Sequence, residues 1–329
     1  MKANKQSHII LFLIVSVVLV TFFLTWFDFG VSSNVGLVVI NVFIVLAMIP
    51  LYYMIHRIVD SQSYAPHTYR YQGNLDLAGI TKRKQSPNIL ARKLTHAIED
   101  DLIDIYFQKI IDTRTGGVLY MEQLARWNDK DLGLIVPDAL FKLARNTDQV
   151  LKLDKYLIKK SIMKYKSYCK KNEHQPKLAL NLTPESFLNV NTIDYLLDTL
   201  KKYHVAPNDV CLEIAETTFM NDHGECIRFI NVYKNHDFLV ALDDFGKSYS
   251  SLGILESIDC DVIKIDRLFL ENIAREKTQE IVRMIQKIAT ISSQVIVVEG
   301  VETEAEKGIL EQLKCTVLQG YLLHRPEKY

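Results

Sequence analysis

From residue 89 to the C-terminus, short apolar runs alternate with longer stretches in which apolar positions recur every three to four residues. The short runs read as strands at 103–108, 118–124, 177–182, 210–215, 238–242, 262–265, 294–298 and 316–318. Between them, helical spacing is carried by Leu140, Phe141 and Ala144, by Leu157, Ile158, Ile162 and Tyr165, by 193–200, by Ile227, Ile230 and Tyr233, by Ile281, Ile285 and Ile288, and by 304–313. A further helix at Leu90, Leu94 and Ile98 leads into this region. Strand and helix in alternation predict parallel pairing, in an open doubly wound sheet or a closed barrel. A barrel gathers residues from every strand end onto one face, whereas an open sheet offers mainly one crevice. Acids and amides stand at or just beyond nearly every strand end here, which favours a TIM-like α/β barrel.

The N-terminal pattern is different. Residues 9–27 are apolar apart from Ser16, Thr21 and Thr25, and a second apolar run covers 35–55. Each has the length needed to cross a bilayer, and together they predict a transmembrane helical hairpin within a 1–59 anchor. Lys2 and Lys5 before it, and His56 and Arg57 after it, place both termini on the cytoplasmic side, because the connecting turn carries no base. Residues 60–88, rich in Ser, Gln, Tyr, Pro and bases, read as a cytoplasmic linker to a domain at 89–329.

Composition narrows the partners. The 329-residue chain has 39 Lys plus Arg against 39 Asp plus Glu, so no excess of positive charge points to DNA or RNA. Its 5 cysteines are scattered without Cys-x-x-Cys spacing, which argues against a disulfide framework or a zinc cluster. No Gly-x-Gly-x-x-Gly opens a helix after a strand, and a dinucleotide cofactor loses its usual support.

Candidate chemistry gathers at the strand ends. The stretch Val-Ala-Leu-Asp-Asp-Phe-Gly delivers Asp243 and Asp244 together at the end of an apolar run. With Glu122, Asn181, Glu213 and Glu299 they form a set of hard oxygen donors, suited to Mg²⁺ or Mn²⁺. Acids crowded at one barrel mouth repel one another unless a cation neutralises them. Two ions about 3.5–4 Å apart can activate a water and stabilise a departing oxygen in phosphoester cleavage. Lys264 could orient that water, and Arg126 could grip a phosphate oxygen. The residues alone lead to metal-dependent cleavage of a phosphoester and no further.

Eight motifs then occur in one order: Tyr106-Phe-Gln108, Glu122-Gln-Leu-Ala-Arg126, Asn181-Leu-Thr-Pro184, Glu213-Ile-Ala-Glu216, Asp243-Asp-Phe-Gly246, Lys264-Ile-Asp266, Glu299-Gly-Val-Glu302, and Gln319-Gly-Tyr321 with Arg325-Pro326. Over 90–329 this series resembles the EAL domain family, bacterial phosphodiesterases of cyclic di-GMP. The resemblance implies a TIM-like barrel that opens cyclic di-GMP to linear pGpG with two divalent ions, Mg²⁺ or Mn²⁺; joined to the predicted hairpin, it gives a phosphodiesterase expected at the bacterial inner membrane. It implies Glu122, Asn181, Glu213, Asp243, Asp244 and Glu299 as metal ligands. Lys264, Glu299 and Glu216 are implied to serve catalysis, the last by steadying the Asp-Asp loop. Gln108, Leu124, Arg126, Asp266, Gln319 and Pro326 are implied to face the substrate. Members often pair across the loop after the Asp-Asp motif, which implies a homodimer.

Departures from the family pattern are Gln123, Lys109, Ala215 and, above all, Lys247-Ser248 where Thr-Gly is usual. Loss of that glycine removes access to positive φ, and Lys247 adds a cation beside the acids. Two readings stay open. One is an active phosphodiesterase. The other is a catalytically weak or inactive module that senses cyclic di-GMP or regulates a protein partner.

Overall fold

The computed structural model describes residues 87–172, 174–220, 222–247 and 251–329. Helix α1 (Pro87–Glu99) leads into a long hairpin, β1 (Ile103–Asp112) and β2 (Gly117–Asp129), which continues into the short β3 (Gly133–Ile135). Helices α2 (Pro137–Asn146) and α3 (Val150–Cys169) precede β4 (Lys177–Asn181). The chain then alternates: a helical turn α4 (Pro184–Phe187) and α5 (Val190–Tyr203), β5 (Val210–Ala215), α6 (His223–Asn235), β6 (Leu239–Phe245), α7 (Ser251–Ser257), β7 (Val262–Ile265), α8 (Glu276–Ile291), β8 (Val295–Val298), α9 (Glu304–Gln312), β9 (Val317–Leu318) and β10 (Glu327–Lys328).

The neighbour order β1-β9-β8-β7-β6-β5-β4-β2 closes on itself through the β1–β2 pairing, so eight strands form a barrel. Parallel pairing holds from β2 through β4 and on to β9. The expectation of parallel pairing throughout fails at β1, which is antiparallel to both β2 and β9. The reason is chain length: only residues 113–116 separate β1 from β2, enough for a hairpin and too short for the crossover that parallel neighbours require. β2 also runs past the predicted end at 124, because its antiparallel partners β1 and β3 carry it to Asp129. Glu122 therefore sits within a strand rather than at its end.

Two apolar layers follow from the period of two along each strand. The outward faces pack against the helices, with Phe107, Met121, Leu180, Leu212, Leu242, Ile263 and Val298 meeting Leu140, Leu157, Leu196, Ile230 and Leu310 in one core. The inward faces form a second cluster of Ile110, Tyr120, Ala179, Cys211, Ala241, Val262 and Val297, which fills the barrel interior. On α8 the core face is Val282, Ile285 and Ala289, while Ile281 is exposed. The five cysteines are free and buried.

The predicted spans 9–27 and 35–55 and the linker to residue 86 lie outside the described residues. Among the described residues no helix is long and apolar enough to cross a membrane, and the expected multi-pass placement in the inner membrane is corrected on that finding. The longest helix, α3, shows the physical cause: Lys152, Lys155, Lys159, Lys160, Lys164 and Lys166 punctuate it.

One buried acid supports the barrel from outside. Asp154 on α3 accepts a hydrogen bond from Thr183 Oγ1, which also receives the Ser186 amide at 3.3 Å and so caps α4 beside the end of β4. Burial pushes the Asp154 carboxyl up to about 6, against the hydrogen bonds from Ser186 and Thr183. A raised carboxyl stabilises the fold fully below its unfolded value near 3.8, and that contribution is lost as pH rises through 6. Asp154→Asn is therefore expected to be more stable than the parent at pH 8, by up to about 3 kcal/mol, and close to it at pH 4. Urea denaturation of both proteins at the two pH values checks this.

Candidate active site

Advancing two residues along each strand from the inner apolar cluster gives one polar layer. Tyr120 leads to Glu122, Ala179 to Asn181, Cys211 to Glu213, Ala241 to Asp243, Val262 to Lys264 and Val297 to Glu299. Val317, packed against the same cluster, leads to Gln319. On β1, which runs the other way, Ile110 leads back to Gln108. Each of the eight barrel strands thus contributes one polar side chain to a single ring, because side chains two apart share a face. The ladder continues just past the short strands, with Glu299 N on Ile265 O at 3.0 Å and Gln319 N on Val298 O at 2.9 Å, which holds those two residues in register.

At the centre of the ring lies the Lys264 ammonium, 1% exposed. Its Nζ is 2.7 Å from Glu299 Oε1, 3.0 Å from Glu213 Oε1 and Asp243 Oδ1, and 3.6 Å from Glu122 Oε2. Burial alone would lower its pKa, but the surrounding carboxylates, Asp243 foremost, raise it well above the usual lysine range. Burial pushes Glu213 and Glu299 well above the ordinary carboxylate range, the neighbouring acids add to the shift, and Lys264 opposes it. Amides complete the ring. Asn181 Nδ2 donates to Glu122 Oε1 at 3.0 Å, and Gln319 Nε2 donates to Glu122 Oε2 at 2.5 Å and to Gln108 Oε1 at 3.3 Å.

Adjacent residues of a regular strand point to opposite faces, so Asp243 and Asp244 should not share one. The structure resolves this with a bulge: Leu242 pairs with Ile263 and Phe245 with Ile265, leaving one extra residue on β6. Asp244 takes a left-handed backbone, φ 59°, and its carboxylate joins those of Asp243 and Glu299, with one oxygen of each within 4.8 Å of the others. Burial and then Asp243 push Asp244 up to about 7, against Lys247. The loop is anchored from below, where Glu216 Oε2 accepts the Gly246 amide at 3.0 Å. Gly246 itself has φ +97°, and a Cβ there would lie 2.3 Å from Phe269 Cε2. Gly246→Ala is expected to cost about 1–3 kcal/mol in urea denaturation and to shift the Asp-Asp loop.

The remaining candidates lie higher at the mouth or beside it. Leu124 and Arg126 follow Glu122 on the inward face of β2; the Arg126 guanidinium donates to Ala125 O at 2.8 Å and lies 6.0 Å from the Tyr106 ring centre. Asp266 follows Lys264, is buried, and accepts the Leu268 amide at 2.9 Å. Pro326 directly precedes β10, whose Glu327 pairs with Phe107. Two supports had no sequence signal: His324, whose carbonyl takes the Gln108 amide at 3.0 Å and whose Nδ1 takes the Lys109 backbone N–H at 3.3 Å, and Asp138, near Lys247 and Arg126. The loop named for dimer pairing, and Ser248 with it, falls at 248–250, outside the described residues.

The donor set fits a divalent cation. Glu213 Oε2 and Asp243 Oδ1 are buried without a hydrogen bond, and so is the Lys264 ammonium; its four ion pairs rest on proximity of charge rather than aligned bonds. Buried carboxylate oxygens with unused lone pairs are costly unless a cation takes them. Asn181, with its nitrogen committed to Glu122, leaves its carbonyl oxygen for the same purpose.

Comparison with known proteins agrees with this geometry. A family model described as "EAL domain" matches residues 91–326. The chain is 28% identical over 238 residues to the bifunctional diguanylate cyclase/cyclic di-GMP phosphodiesterase MucR of Pseudomonas aeruginosa, covering 72% of this chain and 35% of that protein. It is 29% identical over 259 residues to the cyclic di-GMP phosphodiesterase PdeA of Borreliella burgdorferi, covering 78% of this chain and 38% of the relative. The matches therefore span little more than a third of either relative's length. Among solved structures, the PaMucR phosphodiesterase in complex with c-di-GMP superposes with a TM-score of 0.68 at 28% identity, covering 73% of this chain and 98% of that one.

Proposed function

Because the chain belongs to the EAL domain family, we propose that it is a metal-dependent phosphodiesterase that hydrolyses cyclic di-GMP to linear pGpG. The observation that carries the reading is the polar ring: eight strands each supply one residue, and every acid expected to hold metal is present in it or directly beside it. Relatives named as cyclic di-GMP phosphodiesterases, and a related structure with c-di-GMP bound, supply the substrate.

Glu122, Asn181, Glu213 and Asp243 would hold one Mg²⁺ or Mn²⁺, with Asp243, Asp244 and Glu299 holding a second. When bound, the ions supply a water of lowered pKa and neutralise charge on the departing oxygen. Water adds to one phosphorus, the bond from phosphorus to the 3′ oxygen breaks, and that oxygen leaves with a proton. Lys264, placed among four acids of the ring, serves as a donor, holding the water or an equatorial phosphate oxygen. The water's proton passes to a carboxylate oxygen of the ring; Glu299, 2.7 Å from Lys264, is suited to accept it. Arg126 grips the phosphate at the mouth. Gln108, Leu124 and Pro326 line the base and sugar, Gln319 steadies Glu122, and Asp266 orders the loop after β7.

Chromatographic separation of cyclic di-GMP and pGpG tests the reading. The protein with Mg²⁺ or Mn²⁺ is expected to produce pGpG, and Glu122→Ala to lower the rate by on the order of 10³-fold while remaining folded. Lys247, paired with Asp244, favours a second reading in which the same barrel binds cyclic di-GMP and turns it over weakly. Saturable binding without product would support that reading instead.

A further inference from the structure

We propose that Lys247 is a resident cation that competes with the second divalent ion for Asp244, so that this barrel fills its two metal positions with unequal affinity. The inference rests on the two-ion reading above and concerns a residue to which that reading assigns no role.

Lys247 is held by two of the acids and by its own backbone turn. Its Nζ forms an ion pair with Asp244 Oδ1 and another, at 3.1 Å, with Asp266 Oδ2. The side chain is only a quarter exposed, and Asp266 is buried. Its backbone is fixed by the turn that presents Asp244: Lys247 N donates to Asp244 O at 3.2 Å, and the preceding Gly246 amide is tied to Glu216. A flexible surface lysine would lose rotamer freedom to make such contacts. Here the turn from Asp244 to Lys247 already fixes its backbone.

Asp244 is the member of the Asp243–Asp244–Glu299 group that Lys247 engages. An ion arriving between these three carboxylates must displace the ammonium from Asp244 or share that carboxylate with it. In either case it meets a positive charge that a neutral side chain at 247 would not present. Glu122, Asn181 and Glu213 have no ion pair or hydrogen bond with Lys247. The first ion is therefore affected much less. Displaced from Asp244, the ammonium keeps Asp266 as a partner, so the exchange does not leave it buried and unpaired.

The test is Mn²⁺ binding to the full chain without nucleotide, by the electron paramagnetic resonance signal of free Mn²⁺ and by calorimetry. The parent is compared with Lys247→Thr, Lys247→Gln and Lys247→Arg, each checked for folding by circular dichroism. One tighter and one weaker site are expected in the parent. The neutral variants should tighten the weaker site by about tenfold or more, since one opposing unit charge is removed, and leave the tighter site within about twofold. Lys247→Arg, which keeps the charge, should resemble the parent. Two sites with parental affinities in Lys247→Thr and Lys247→Gln would overturn the inference and leave the phosphodiesterase reading intact. No Mn²⁺ bound by the parent or any variant would overturn both.

Discussion

Lys264→Met is expected to lower turnover by on the order of 10³-fold and to destabilise the metal-free protein by about 3–5 kcal/mol. Four carboxylates lie within 3.6 Å of the Lys264 ammonium, in a ring that is almost wholly buried. Methionine fills a similar volume, so the change is mainly one of charge. Without the ammonium, Glu122, Glu213, Asp243 and Glu299 face one another uncompensated, and burial already holds Glu213 and Glu299 above the ordinary range. They must take up protons or expand the barrel mouth. A divalent ion offers a third resolution. The melting temperature of Lys264→Met should therefore rise on adding Mn²⁺ by more than that of the parent, and fall below the parent's in EDTA. Equal melting of the two proteins in EDTA would show that the ammonium is not the ring's counter-charge.

The second large effect concerns the Asp-Asp loop. Glu216→Ala removes the acceptor of the Gly246 amide from a fully buried position. An unpaired buried donor costs about 1–3 kcal/mol, and the loop has few ways to recover it, because Gly246 is fixed by its positive φ and by the Phe269 ring. Turnover is expected to fall by about 100-fold, since carboxylates displaced by an ångström no longer share one ion. Glu216→Gln keeps an acceptor and should recover most of the loss. Steady-state kinetics on both variants, at several Mn²⁺ concentrations, separates a displaced loop from a lost chemical group: a displaced loop raises the Mn²⁺ requirement as well as lowering the rate.

The inward parity of the strands explains why so much of the site could be read from the chain. A polar residue two places beyond a small apolar one, at the end of a β-forming run, is conspicuous, and Glu213, Lys264, Glu299 and Gln319 each stand so. Direction was harder to read. Apolar alternation is the same in a parallel and an antiparallel strand, and only the short 113–116 connection marks β1 as reversed. The pairing of Asp243 with Asp244 on one side was also hidden, because it depends on a bulge and on φ 59° at a non-glycine residue. Helical periodicity found α8 through Ile281, Ile285 and Ile288 without saying which face is buried: the barrel takes that of Val282, Ile285 and Ala289. Contacts between distant segments, such as Asp154 with Thr183 or Gln108 with the His324 carbonyl, leave no local pattern at all.

The most direct measurement is a single-turnover reaction with protein in excess over cyclic di-GMP, in Mn²⁺ and in EDTA, followed by chromatography. If the ring of eight strands is a two-ion hydrolytic site, all bound cyclic di-GMP becomes pGpG in Mn²⁺ and none does in EDTA. Cyclic di-GMP that is bound to the protein in Mn²⁺ and recovered unchanged would contradict it.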